Sequence, residues 1–372
     1  MNRGGASLLD FFMATDYSKR RAAIRRELKQ RKIDCLLVTH APNWYYLTGF
    51  TGESGALVLS EDGATLITDG RFTVQAKEET SGVEIELQKG GLYAAVGNFL
   101  KQARYEQVAF DPQHWTVAQM TVLRKAIRGR CRTSEAAGIV EALRMKKDAQ
   151  ELATMRKAAH LAGEVFESVL KMVRPGVRET EIGAEIEYQM RKRGASGASF
   201  ESIVASGKRG ALPHARPTAK RLRKNELVVL DLGAILAHYC SDMTRTVYLG
   251  KASSRVRQWY AAVQEAQAAG VNAVKAGVTC GEVDAAARDV LKKAGLEEKF
   301  VHSTGHGLGL EVHEEPRIAR GQQVRLEAGN VVTIEPGVYF EDAGGIRIED
   351  EVAVHADKGE VLTRVKRDLI EL

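Results

Sequence analysis

The sequence predicts an α/β domain followed by an α+β domain made of two related halves. Three observations carry this. From Asp16 to about Arg132, short apolar runs alternate with helix-like stretches. From Ser134 to Met172 the composition turns to Ala, Glu, Leu, Lys and Met without proline. Beyond that point a helix–turn–helix–strand pattern occurs twice. A chain of 372 residues suits about two domains. Its 44% hydrophobic and 27% charged residues exclude wholesale disorder.

Met1 to Ala14 carries one arginine, and Asp10 interrupts its short apolar stretch. Residues 1–15 therefore read as a loose leader and not as a signal peptide. Tyr17 to Arg31 reads as a basic amphipathic helix and Cys35 to Val38 as a buried strand. Leu57–Leu59 and Thr65–Thr68 read as strands around the turn Glu61-Asp62-Gly63. Phe72–Glu79 reads as a helix, Val83–Leu87 as a strand and Tyr93–Ala103 as a helix. Val108–Phe110 reads as a strand and Val117–Ile127 as a helix. This gives a first domain over 16–147 with a mixed or parallel sheet and no phosphate-binding glycine pattern. Ser134 to Met172 reads as long helix broken near Lys147-Asp148, where the second domain, 148–372, begins.

The second domain contains an internal repeat. Val173-Arg174-Pro175-Gly176-Val177, then Glu181-Ile182, recurs as Val274-Lys275-Ala276-Gly277-Val278, then Glu282-Val283, an offset of 101 residues from Val173 to Val274. Lys192 and Gly194 recur as Lys293 and Gly295. Two copies indicate a duplicated α+β unit with pseudo-twofold symmetry, not a stacked array.

Each copy ends in carboxylates placed on strands. Leu227 to Ala234 and Tyr239 to Val247 read as a hairpin turning at Leu236-Ala237, which sets Asp231 opposite Asp242 at ~5 Å between Cβ atoms. In the second copy Val331 to Glu335 and Gly345 to Glu349 allow Glu335 and Glu349 to pair across strands. Arg347 and Glu349 share one face, with Ile346 and Ile348 on the other. Buried opposed carboxylates are unfavourable without a cation or a shared proton. Two divalent cations would resolve four of them, since hard oxygen ligands suit Mn²⁺ and Mg²⁺. A histidine widens the choice to Zn²⁺, Co²⁺ or Fe²⁺. Histidines are concentrated here: His302 and His306 lie in a glycine-rich, irregular stretch, His313 follows it, and His214 follows Pro213. Taken singly, each such residue is more often an ordinary buried or capping group. The matched pairs in two copies are harder to explain that way.

Other chemistries are excluded on pattern. There is no GxSxG elbow, P-loop, HExxH or zinc-ribbon spacing. Cys35, Cys131, Cys240 and Cys280 form no CxxC pair, which indicates reduced thiols in a cytoplasmic protein. The net charge is +6. Basic clusters at Lys19–Lys32, Arg124–Arg132 and Arg216–Lys224 lack interleaved aromatics and read as solvated surface, not a nucleic-acid face. No apolar run approaches the ~20 residues that cross a bilayer.

The sequence resembles the pita-bread metallopeptidases, in the creatinase-like branch with Xaa-Pro aminopeptidases and prolidases. The matching stretches are Asn43 to Phe50, Thr68 to Arg71, Leu212-Pro213-His214, Leu230 to Ala234, Cys240 to Thr246, His302 to Pro316, Ile334 to Tyr339 and Gly345 to Asp350. The residues after His214, Ala215 to Thr218, are less typical. The resemblance implies a creatinase-like N-terminal domain and a pita-bread catalytic domain. It implies five ligands for two divalent ions, with Mn²⁺ foremost and Co²⁺, Zn²⁺ or Fe²⁺ as alternatives: Asp231, Asp242, His306, Glu335 and Glu349. Supporting histidines fall on His214, His302 and His313, and a substrate-facing arginine on Arg347. Asp242 and Glu349 would bridge the ions, and Glu335 would take a proton from the attacking water. His214 and His302 would act at the oxyanion or the leaving nitrogen, and His313 near the substrate. The implied activity is release of an N-terminal residue from peptides with proline second. The alternatives are an Xaa-Pro dipeptidase or a non-catalytic binding protein on the same fold. The resemblance also implies a homodimer.

Overall fold

The computed structural model describes residues 15–372. The leader assigned to residues 1–15 thus lies almost wholly outside the described residues. The chain divides into two compact units, one ending at Arg144 and the other running from Met145 to Leu372.

The first unit is a six-stranded mixed sheet with helices. In spatial order its strands are Glu84–Leu87, Ala64–Thr68, Ala56–Ser60, Cys35–Val38, Gln107–Phe110 and Arg132–Glu135. Cys35–Val38 with Ala56–Ser60, joined through the helix Ala41–Thr48, and Ala56–Ser60 with Ala64–Thr68, joined by a tight turn, are antiparallel. The other three are parallel, as helical crossovers require. Leu37, Val58, Ile67, Val108 and Phe110 face Val96, Leu100 and Leu123 in one core. Two elements carried too little apolar period to be read. One is the helix Ala41–Thr48, entered through a proline in its first turn; the other is the short, half-exposed strand Arg132–Glu135.

The basic stretch from Lys19 is only partly solvated. Arg20 and Arg21 are buried, and their guanidiniums donate to the carbonyls of Tyr46 at 3.2 Å and Leu47 at 2.9 Å. They satisfy carbonyls that the end of Ala41–Thr48 leaves without helical partners.

The second unit opens with Ala149–Val169, started by a capping box. Asp148 accepts from the amides of Gln150 and Glu151, and Glu151 accepts from the amide of Asp148. The duplication is visible in hydrogen bonds. Gly176 and Gly277 both adopt positive φ, +93° and +88°, where a side chain would be strained. Their amides donate to Leu222 and Leu326, and their carbonyls accept from Arg221 and Arg325. Helices Glu179–Lys192 and Cys280–Lys293 follow, each closed by a glutamate reaching back to the cap amide.

Each half then supplies a sheet. The first orders Ile370–Glu371, Met243–Tyr248, Leu227–Leu232 and Ile203–Ser206; the second orders Glu314–Ile318, Gly305–Gly307, Val331–Ile334, Asp350–Val354 and Gly359–Val361. They meet where Thr244–Thr246 runs beside Arg347–Glu349. There Glu349 N donates to Thr244 O, and Arg347 N donates to the Thr246 hydroxyl. Among the described residues no helix is long and apolar enough to cross a membrane.

Candidate metal centre

The seam between the two sheets carries the acids. Asp231 and Asp242 do not face each other as expected. Asp231 pairs with Thr244, because the hairpin turns at Ala237-His238, one residue later than the sequence suggests. Both turn residues adopt positive φ, +46° and +71°, without the Asn or Gly that normally marks such a turn. The shift preserves strand parity, so Asp242 still comes close enough to Asp231 for the two charges to oppose. In the second half Ile334 pairs with Asp350 and Gly337 with Arg347. The register on both sides therefore sets Glu335 opposite Glu349.

His306 is not on an irregular loop. It sits in the short strand Gly305–Gly307, which the flanking glycines permit by close approach. A Cβ on Gly305 would strike the Thr333 carbonyl, and one on Gly307 the Glu315 carbonyl. His306 Nδ1 donates to Gly307 O at 2.9 Å. That leaves the Nε2 lone pair aimed at Asp242 Oδ2, 3.6 Å away, and Glu335 Oε1, 3.5 Å away. Burial pushes the imidazole down to about 4, so it is neutral and ligand-competent near neutral pH.

The carboxylates respond to burial and to one another. Asp242 is held well above its ordinary range by burial first, then by Glu349, Asp231 and Glu335. Glu349 is raised likewise by burial, Glu335 and Asp231. Glu335 is pushed up to about 8, chiefly by burial. One oxygen of Asp231, Oδ1, is buried with no hydrogen-bond partner. Asp242, His306 and Glu349 each offer a ligand atom within 4.8 Å of the other two. An orphaned carboxylate oxygen, a histidine lone pair and mutually repelling acids fit divalent cations well.

Arg347 is buried and makes four hydrogen bonds within the cluster. Its guanidinium donates to Asp231 Oδ2 at 2.6 Å, the Tyr339 hydroxyl at 2.7 Å, Thr244 Oγ1 at 3.1 Å and Pro213 O at 3.1 Å. The Tyr339 hydroxyl meets His302 Nε2 at 2.8 Å, and His302 Nδ1 donates to Ser303 O. His302 thus closes a chain from Arg347 through Tyr339. Burial and the Arg347 charge lower it to about 4. His214 and His313 are exposed at the edge of the cluster. His214 lies near enough to lower both His302 and His313, after burial has done so. His313 packs edge-on against His306, ring centroids 4.4 Å apart.

Sequence reasoning missed three supports. Tyr339 links Arg347 to His302. Thr244 Oγ1 donates to Glu349 Oε2 at 2.6 Å. Glu351 accepts from Asp242 N at 2.9 Å and leaves its other oxygen buried and unpartnered. Strand period two was the available signal for Glu351, which shares a face with Glu349.

The fold and this cluster define a metallopeptidase of the duplicated, two-sheet type. Residues 153–356 match Metallopeptidase family M24, and residues 20–146 match the Creatinase/Prolidase N-terminal domain. The chain belongs to that metallopeptidase family. A solved Xaa-Pro dipeptidase from Bacillus anthracis superposes with a TM-score of 0.93 at 38% identity, over 96% of this chain and 100% of that one. An X-Pro aminopeptidase from Thermotoga maritima superposes with a TM-score of 0.86 at 35% identity, over 93% and 100%. The Xaa-Pro dipeptidase of Pyrococcus furiosus is 34% identical over 92% of this chain and 97% of its own length.

Proposed function

We propose that the chain hydrolyses the bond between an N-terminal residue and a following proline at a dinuclear metal centre, with Xaa-Pro dipeptides as its principal substrates. The observation that carries this is the meeting of Asp242, Glu335 and Glu349 around the His306 lone pair, with Asp231 close enough to oppose their charges. Similarity to two Xaa-Pro dipeptidases supports the dipeptide over the longer peptide that the sequence reading put first. The aminopeptidase remains the second reading, supported by the Thermotoga maritima relative.

Asp231, Asp242, His306, Glu335 and Glu349 would together hold two divalent ions, with Mn²⁺ the first candidate. Bound there, such ions polarise a scissile carbonyl and lower the pKa of the attacking water. The chain's own residues do the rest. Glu335 takes the proton from that water. Arg347 fixes one oxygen of Asp231 and leaves the other turned to the site. His214, exposed at the edge, donates toward the developing oxyanion or the leaving nitrogen. A proline nitrogen carries no N–H, so recognition cannot rest on a backbone donor there.

The test is turnover of Xaa-Pro and Xaa-Pro-Xaa peptides at equal concentration, with Mn²⁺ added back to chelator-treated protein. Faster dipeptide cleavage is expected. Cleavage of the longer peptide alone would establish the aminopeptidase reading. No cleavage of either would overturn both.

A further inference from the structure

We propose that His40, His114 and Glu141 form a separate metal site in the N-terminal unit, for a divalent ion of borderline softness such as Zn²⁺ or Co²⁺. Each of the three offers a ligand atom within 4.8 Å of the others. They line one small cavity with Asn43, Asp111 and Trp115. Two imidazoles and a carboxylate are a donor set suited to Zn²⁺ or Co²⁺ and poorly suited to Ca²⁺ or Mg²⁺.

The site is supported from outside its ligands. Asp111 ties both flanking segments together. One of its oxygens accepts from Gln113 N at 2.9 Å, in the turn carrying His114. The other accepts from Gly138 N at 2.6 Å, just before the helix carrying Glu141. Arg144 donates to Asn43 at 2.7 Å, and Asn43 donates to Glu141 Oε1 at 2.5 Å. His114 Nε2 lies 2.8 Å from the same oxygen. Glu141 Oε2 is buried and has no partner. Burial raises the Glu141 carboxyl, but the hydrogen bonds from Asn43 and His114 outweigh this and hold it below its ordinary value. Ligand chains backed in this way are typical of real metal sites.

The rings of His40 and His114 stack, centroids 3.9 Å apart and planes 7° apart. Parallel rings cannot both aim a lone pair at one ion, so binding requires His40 to turn out of the stack. Donors of a tetrahedral ion with bonds of ~2.0–2.1 Å lie roughly 3.4 Å apart, so the shift needed is on the order of an ångström. Three protein ligands leave a fourth position toward the cavity.

The test uses the full chain, stripped with chelator, re-equilibrated with Zn²⁺ and assayed for ions per chain by elemental analysis. Wild type should hold one ion more than either His114→Ala or Glu141→Gln, while turnover of Xaa-Pro peptides stays within about twofold. Equal ion counts in wild type and both variants would overturn the site. So would loss of more than one ion together with turnover, which would make these residues supports of the other centre. If His114→Ala fails to fold, the near-isosteric Glu141→Gln decides alone. The count difference does not depend on what the catalytic centre hydrolyses.

Discussion

Two sets of buried acids in the C-terminal unit lie one residue apart and behave oppositely. Asp350 is fully buried and surrounded by donors: Arg245 at 2.7 Å, Gln267 at 2.7 Å and Arg367 at 2.5 Å. Its neighbours Glu349 and Glu351 point to the other side of the strand, toward Asp242, Glu335 and Asp231. Both carboxyls there are raised well above their ordinary range, burial being the first cause. Glu179 repeats the Asp350 pattern, held by Ser206, Arg209 and Thr218. The difference teaches how to read a buried acid. One whose oxygens are fully taken up by arginine and amide donors, as at Asp350, is balanced as it stands, whereas Asp231, Asp242, Glu335 and Glu349 share the single guanidinium of Arg347. One set against other acids costs stability until a cation arrives.

The comparison breaks first on activity. Asp242→Asn should lower turnover on the order of 10³-fold or more, since it removes a carboxylate at the centre of the proposed ligand set. The same variant should melt higher than wild type in chelator, because it relieves repulsion among crowded carboxylates. Kinetics and thermal melts check the two halves. A lower melting point in chelator would mean that the acids are not crowded.

His214→Ala should lower turnover by ~10²–10³ while both ions remain, as expected for an electrostatic stabiliser outside the ligand set. Elemental analysis beside steady-state kinetics decides it. An ion lost with His214 would make that residue a ligand.

Asp350→Asn makes the same chemical change on the opposite face and should do the opposite of Asp242→Asn. It leaves Arg245 buried without its counter-charge, which should cost roughly 3–5 kcal/mol with or without metal. Urea unfolding measures this. A change below about 1 kcal/mol would remove the contrast between the two faces.

Most of the architecture was legible because it rests on period and punctuation. The helix Tyr17–Arg31 and the strands Cys35–Val38 and Ala64–Thr68 follow their apolar spacing, and the duplication shows in Gly176 and Gly277. The site's residue types were legible as well, since Asp231 and Glu335 sit in or at the end of otherwise apolar strands. Register was less so. The turn at Ala237-His238 uses left-handed backbone without the residues that advertise it, so the pairing of Asp231 was misjudged by two positions. The hydrogen-bond partners of Arg347 were not legible, because Asp231 and Pro213 are distant in sequence. The His40–His114–Glu141 cluster was invisible for the same reason, its members coming from three separate segments.

The central claim is that the C-terminal acids repel until a cation neutralises them, and pH tests it directly. Glu335 has its folded pKa raised from 4.5 to about 8. A raised acid contributes stability fully present below its unfolded pKa and lost as pH rises through the folded value. Asp242 and Glu349 are raised in the same direction. His302 and His306 are lowered from 6.5 to about 4, so their contribution is lost as pH falls through 6.5 towards 4 and levels off only above about pH 7.5. Between pH 6.5 and 8 the raised carboxylates work against the tail of the histidine titration, and the difference between metal-free and Mn²⁺-loaded protein isolates the carboxylates. The measurement is the melting temperature of chelator-treated protein across that window, with and without Mn²⁺. Without metal it should fall steadily as pH rises, and saturating Mn²⁺ should flatten or reverse the slope. A metal-free protein whose melting temperature is flat or rises from pH 6.5 to 8 would contradict the account.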